Sequence, residues 1–128
     1  MTAGWWRWIW VMGLLPGAAL PGAASADEAH SLNPHPELVR TYYDYGVVVY
    51  CRLVDMPVHN GYALLRNDQM ARGNIAREGD RRAWVDANLA VDLEYLNRGL
   101  AGQKNWCLKE GAEAAARFTT YFRTRRLP

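Results

Sequence analysis

The chain carries two cysteines, Cys51 and Cys107, and its first 26 residues decide what they can do. Met1 to Leu15 is almost wholly apolar, with Arg7 its one charged side chain. Small residues follow and end in Ala24-Ser25-Ala26, an A-x-A processing signal. We read residues 1–26 as a signal peptide cleaved after Ala26. The mature chain then enters an oxidising compartment in which the cysteines pair. The apolar run from Trp8 to Leu15 is shorter than the ~20 residues a membrane span takes, and Pro16 and Pro21 interrupt any helical continuation. Trp5, Trp6, Trp8 and Trp10 favour a membrane interface, so a retained anchor is the alternative fate of this segment. No cysteine near the cleavage point could take a lipid, and no twin-arginine pair precedes the apolar run.

Cleavage leaves about 100 residues, enough for one domain with a single core. The full chain has a formal net charge of +2, and losing Arg7 brings it closer to zero. Such a balance argues against nucleic acid as a partner and against a purely electrostatic hold on anionic lipid. Lys104 and Lys109 are the only lysines among the basic residues. That bias fits a GC-rich bacterial genome and, with the export tag, a periplasmic location. A Cys51–Cys107 bridge would close a long loop, worth roughly 4 kcal/mol on the chain-entropy account. Neither cysteine belongs to a C-x-x-C pair and there is no C-x-x-C-H, so thiolate metal sites and covalent haem lack their motifs.

The mature chain reads as helices joined by short turns. Residues 27–35 are polar, hold Pro34 and lack periodicity, which predicts a flexible leader; Pro36 suits the first turn of a helix. From there Leu38, Tyr42, Tyr45, Val49 and Leu53 recur at helical spacing, with Val39, Tyr43, Val47, Tyr50 and Val54 beside them. So wide an apolar arc predicts the central helix. Gly46-Val47-Val48-Val49-Tyr50 alone would suit a strand, but no second strand is available to pair with it. Pro57 opens the next helix, in which Tyr62, Leu65, Gln69 and Arg72 share a face, and Gly73-Asn74 closes it. Asp80 is the expected N-cap of a third, amphipathic helix. Its packing face is expected to hold Trp84, Ala87, Val91 and Tyr95, with Leu89, Leu93, Leu96 and Leu100 alongside, and Asn97-Arg98-Gly99 ends it. Asn105 is placed as the cap of the last helix, which packs Leu108, Ala112, Ala115, Phe118 and Phe122. The fold class is therefore all-α. It is a small four-helix bundle over 36–122 with one inter-helix disulfide, followed by a basic tail over 123–128.

Catalytic signals are sparse. His30, His35 and His59 show no metal-ligand spacing, and Asp27-Glu28-Ala29-His30 misses an amino-terminal copper motif by one residue. Asp92 and Glu94 point to different sides of a helix; Glu110 and Glu113 lie beside Lys109 and Arg117, with Glu113–Arg117 the favourable pair on a solvated face. Ser31 is the only serine in the mature chain and has no nucleophile motif around it. These readings predict no catalysis, no cofactor and no metal.

Two clusters stand out instead. Tyr42, Tyr43, Tyr45 and Tyr50 crowd one helix, and Tyr43 or Tyr45 must be partly exposed, as suits a binding surface. Arg72, Arg77, Arg81 and Arg82 surround a turn, with Arg82 placed to pair with Asp86. The expectation is a periplasmic protein that binds another protein, as an accessory subunit or inhibitor-like partner. Tyr43 and Tyr45 would be its anchors, and Arg77, Arg81 and Arg82 its rim. An acid-stress chaperone and a metal or small-ligand carrier are the alternatives. Oligomeric state is not legible from these features.

Overall fold

A computed structural model of the protein describes residues 32–128, and every regular element among them is helical. The export segment, the cleavage point after Ala26 and leader residues 27–31 lie outside the described residues. Helix α1 is Pro36–Tyr50, α2 is Met56–Arg72 and α3 is Arg77–Asn97. A last long helix runs as α4, Gly99–Trp106, a π-helical turn over Cys107–Gly111, and α5, Ala112–Thr124. Cross-helix contacts fix the directions. Tyr42 and Tyr50 of α1 meet Asp80 and Asp92 of α3 in the same order, so these helices run parallel. Thr41 and Tyr45 meet Gln69 and His59 of α2 in reverse order, and Asp44 and Cys51 meet Arg117 and Cys107 likewise. The result is an up-down-up-down bundle in which α1 packs along α3 and α2 along α5.

Local chemistry sets most of the ends. Asp55 caps α2 by accepting from the Val58 amide at 2.9 Å, and Pro57 sits in the first turn where no backbone donor is missed. Gly73 caps its C-terminus, with Asn74 at a left-handed φ of 44°. Asn33 anchors the entry to α1: its side chain accepts from the His35 amide at 2.8 Å and donates to Asp86 of α3 at 2.7 Å. Asn33 is buried, so residues 32–35, within the stretch expected to be a loose leader, are tied to the bundle. At the other end Thr124 closes α5, and Arg125 reaches Asp68 at 3.1 Å.

Two helix starts differ from expectation. Helix α3 begins at Arg77, with Ala76 at its N-cap, because the Asp80 carboxylate is engaged by Tyr42 and Arg66 rather than by its own backbone. Asp80 and Glu78 lie instead in the first turn, where negative charge suits the dipole. The last helix starts at Gly99, separated from α3 by Arg98 alone, so Asn105 is inside it and caps nothing. The tight junction is possible because Gly99 takes a φ of +66°.

Helix α1 is central, as its apolar arc predicts. Leu38, Val39, Tyr42, Tyr43, Val47 and Val48 are all buried. The expected bridge is present, with Cys51 and Cys107 Cα atoms 5.3 Å apart. Helix α3 follows expectation at Ala87 and Val91 and departs from it at Trp84 and the leucines. It turns Ala83, Ala87, Ala90 and Val91 inward, while Trp84, Leu89, Leu93 and Leu96 face solvent, as does Leu100 just beyond. On the last helix Trp106, Ala114, Phe118 and Tyr121 are buried, whereas Leu108 and Phe122 are exposed. One carboxylate is deep in the bundle. Asp44, 3% exposed, accepts from Arg40 at 2.9 and 3.0 Å and from Arg117 at 2.5 Å. Arg117 thus crosses to α1 instead of forming the expected surface pair with Glu113.

Helix α2 lies against the last helix at Gly61, where an added Cβ would stand 1.9 Å from the Phe118 carbonyl oxygen. That neighbour is backbone and cannot rotate away. Gly61→Ala is therefore expected to lower stability by about 1–3 kcal/mol, the usual range for overpacking, as read from the urea unfolding midpoint. An unchanged midpoint would show that α2 and α5 do not meet there. A second expectation concerns acid. The Tyr121 hydroxyl donates to Asp68 at 2.5 Å, and this bond, aided by Arg125, holds the Asp68 carboxyl below its ordinary 3.8. A lowered folded-state value gives stability that is present above the ordinary value and is lost as pH falls through the lowered one. Tyr121→Phe should therefore unfold more easily than the natural protein at pH 7, and the two should converge well below about pH 4. A difference that persists in strong acid would mean Tyr121 acts through packing alone.

Candidate functional site

Helices α1, α2 and the first turns of α3 enclose a cleft of about 620 Å³. Tyr42 and Tyr62 form its inner wall, Arg66 and Asp80 its floor, and Arg77, Arg81 and Trp84 its mouth. Spacing explains the assembly. Tyr62 and Arg66 are i and i+4 on α2 and share a face, and Arg77, Arg81 and Trp84 recur at four and three on α3.

The inner part is a closed hydrogen-bonded unit. The Tyr42 hydroxyl donates to Asp80, Arg66 Nε donates to the Tyr42 oxygen at 2.6 Å, and Arg66 Nη2 meets Asp80 at 2.8 Å. Arg66 also stands over the Tyr42 ring, 5.9 Å from its centroid. Burial, and then the bond to Asp80, push the Tyr42 phenol well above its ordinary range. Burial pushes Tyr62 up to about 12. The bond to Tyr42, more than the ion pair with Asp80, raises Arg66 further still. These groups hold one charge state across the physiological range.

Charge is unevenly distributed in the cleft. Asp80 neutralises Arg66, leaving Arg77 and Arg81 at the mouth. Arg81 lies 3.6 Å from Glu78, but both side chains are largely exposed, and such surface pairs contribute little. Trp84, 52% exposed, stands beside these cations. Trp106, the other tryptophan among the described residues, is buried and bonds to Glu110. The mouth therefore offers two guanidinium groups and an indole face to solvent, over an apolar tyrosine wall. This is a chemistry for carboxylates and aromatic or apolar groups together.

The site residues expected from sequence fall in three places. Arg77 and Arg81 line the cleft. Arg82 is exposed outside it, and Asp86, its expected partner, accepts from Asn33 instead. Tyr45 is half-buried; its ring stacks on Tyr62 at 3.8 Å between centroids, and its hydroxyl meets His59 at 3.0 Å. It supports the wall from behind. Tyr43 is corrected: at 8% exposure it cannot anchor a partner. It faces the region of Glu94, Arg98 and Glu110, and burial, then the negative charge of Glu110, push its phenol up strongly. The reason is geometric, since Tyr43 is buried where the C-terminal end of α3 and the last helix come together. Tyr62, Arg66 and Trp84 were not singled out as site residues, because Tyr62 and Trp84 read as packing positions. Cys51 and Cys107 form the structural bridge near the opposite end of α1.

No group of three or more histidine, cysteine or acidic side chains suited to a metal occurs among the described residues, and no helix among them is long and apolar enough to cross a membrane. The chain matches no family model, no curated protein and no solved structure.

Replacing Tyr42 tests the inner unit. Tyr42→Phe removes the donor to Asp80 and the acceptor of Arg66, and is expected to lower stability by about 1.5–3 kcal/mol, the range for hydrogen bonds to charged groups. Denaturant unfolding reads this directly. A neutral result would show that Arg66 and Asp80 hold each other without the phenol.

Proposed function

We propose that this protein is an exported, periplasmic binding protein without catalysis, and that its partner is another protein presenting an acidic segment. The observation that carries this reading is the pair of exposed arginines, Arg77 and Arg81, the latter only loosely paired with Glu78, beside the exposed Trp84 at the mouth of an aromatic cleft. An acidic side chain or a terminal carboxylate would take the arginines. An adjoining aromatic or apolar residue would lie on Trp84 and Tyr62, displacing water from both. Aromatic and arginine anchors of this kind dominate binding energy at protein interfaces. A role as accessory subunit or inhibitor suits a domain that offers an aromatic cleft with arginines at its mouth. Export rests on the Ala24-Ser25-Ala26 signal and is supported by the bridged cysteines.

The experiment starts from protein recovered from the periplasm, whose chain should begin at Asp27 by intact mass. Full-length protein confined to membranes would overturn the export reading. Cross-linking and capture from periplasmic extract at neutral pH should retain one defined protein. Trp84→Ala and Arg77→Glu should each weaken that capture at least tenfold, since anchors commonly contribute about 2 kcal/mol or more. Both residues are exposed, so helical circular dichroism should not change. Capture unaffected by either substitution would show that the cleft is not the contact.

A further inference from the structure

A second cavity, of about 400 Å³, lies where the start of α1 meets the end of α2. It shares no lining residue with the arginine cleft. Its size falls within the ~300–1,000 Å³ usual for small-molecule sites. Gln69 lines it and is only 5% exposed. The Gln69 Oε1 accepts from the buried Thr41 hydroxyl at 2.8 Å, while Nε2, also buried, has no hydrogen-bond partner among the described residues. Buried donors are nearly always paired, so an orphan donor in the wall of a cavity calls for a ligand that accepts from it. We infer that this cavity holds a free amino acid with an apolar side chain, its carboxylate on Gln69 and Arg72 and its ammonium on Glu37.

The charges around the orphan donor select this ligand class. Glu37, in the first turn of α1, and Arg72, in the last turn of α2, both line the cavity. Antiparallel packing brings them together. Thr41 meets Gln69, and Glu37 and Arg72 lie about one turn beyond that contact on their own helices. Both are exposed, and neither forms an ion pair among the described residues. Asp68, whose charge Arg72 also feels, is already held by Tyr121 and Arg125. A lone anion would gain Arg72 and Gln69 but meet Glu37. A lone cation would gain Glu37 but meet Arg72, and would leave the Gln69 donor unpaired. A molecule with a carboxylate and an ammonium on one carbon satisfies all three groups, through charge-assisted hydrogen bonds. A peptide terminus carries only one of the two charges. Leu38, 1% exposed, and Ile75 supply an apolar part of the wall, from which an aliphatic or aromatic side chain would displace water. His35, the remaining titratable group of the wall, lies against Gly79 of α3. The site is independent of the protein partner proposed for the cleft.

The test is isothermal titration calorimetry of the mature, oxidised chain at pH 7, with L-leucine and L-phenylalanine as probes. Saturable binding of at least one of them, tighter than about 1 mM, is expected. The N-acetyl derivative of that amino acid lacks the ammonium and its amide lacks the carboxylate, so each should bind roughly tenfold more weakly or worse. Arg72→Gln and Glu37→Gln, both at exposed positions, should weaken binding by a similar factor with helical circular dichroism unchanged. Gln69→Met keeps an unbranched side chain and removes both polar ends, while Thr41 retains the Glu37 carbonyl at 3.1 Å as its acceptor. Deleting an unpaired buried donor should leave the urea midpoint of the unliganded chain unchanged or higher, whereas amino-acid binding should be lost. Trp84→Ala, in the cleft, should bind as the natural chain does. No saturable binding of either probe overturns the proposal, as does normal binding by Gln69→Met. Loss of binding in Trp84→Ala would put the ligand in the cleft and overturn this site. An N-acetyl derivative that binds as well as its parent would overturn the role of Glu37, and an amide that does so would overturn capture by Gln69 and Arg72.

Discussion

The contact between α1 and α3 sets the rest of the molecule. It is made by the smallest side chains α3 has. Ala83, Ala87 and Ala90 are buried, with Val91 beside them. On α1 the matching position is Gly46, where an added Cβ would stand 2.8 Å from a Val91 methyl. Small residues let two helices lie close, but they leave no inward position for large ones. The leucines of α3 and Trp84 are consequently turned out. The exposed row and the exposed indole are both consequences of packing α3 by its alanine face. A helix packed on its leucine face would have a larger apolar interface with α1 and no free surface to offer.

With so little apolar area in that contact, polar links between helices gain weight. The phenols of Tyr42, Tyr50 and Tyr121 each donate to a carboxylate on another helix: Asp80, Asp92 and Asp68. Asn33 donates to Asp86, and Arg117 crosses to Asp44. Bonds to ionised acceptors are about twice as strong as neutral ones and are directional. They fix the register of helices whose apolar contacts are shallow. The Asp44 cluster is the deepest of them, and removing its carboxylate would leave Arg117 largely buried without its counter-charge, a change that typically costs about 3–5 kcal/mol.

Helix content, helix order, the central position of α1 and the bridge were all legible in the sequence, because periodicity and two cysteines state them locally. Orientation of α3 was legible only in part: Ala87 and Val91 pack inward as expected, while Trp84 and the leucines do not. Its leucines and its alanines each form a regular stripe, and hydrophobicity favours the leucine stripe as the buried one. What decides otherwise is Gly46 on α1, a property of the partner helix that no window along α3 contains. The start of α3 was misplaced for a related reason. Asp80 has the chemistry of a cap, but Tyr42 and Arg66 take its carboxylate from other helices. The start of the last helix was misplaced because Gly99 reads as a terminator, whereas its left-handed backbone here serves as a hinge between two helices. In the cleft, Arg77 and Arg81 were visible as charge, while Tyr62, Arg66 and Trp84 are brought to them only by the crossing of α2 and α3.

The bridge and the cleft divide the bundle between them. Cys51–Cys107 ties the C-terminal end of α1 to the last helix, where a π-helical turn begins at the second cysteine. Toward the N-terminal end of α1 no covalent link exists among the described residues. Tyr42, Arg66, Asp80 and the Asn33–Asp86 bond hold α1, α2 and α3 together there. That arrangement explains why Asp80 faces into an arginine-rich cleft at all. Without it Arg66 would be a half-buried cation with no counter-charge, and α2 and α3 would be driven apart by Arg66, Arg77 and Arg81. By spending its charge on Arg66, Asp80 draws the helices together and leaves Arg77 and Arg81 as the net positive potential of the mouth. The same carboxylate therefore closes the bundle and sets the sign of the surface it offers.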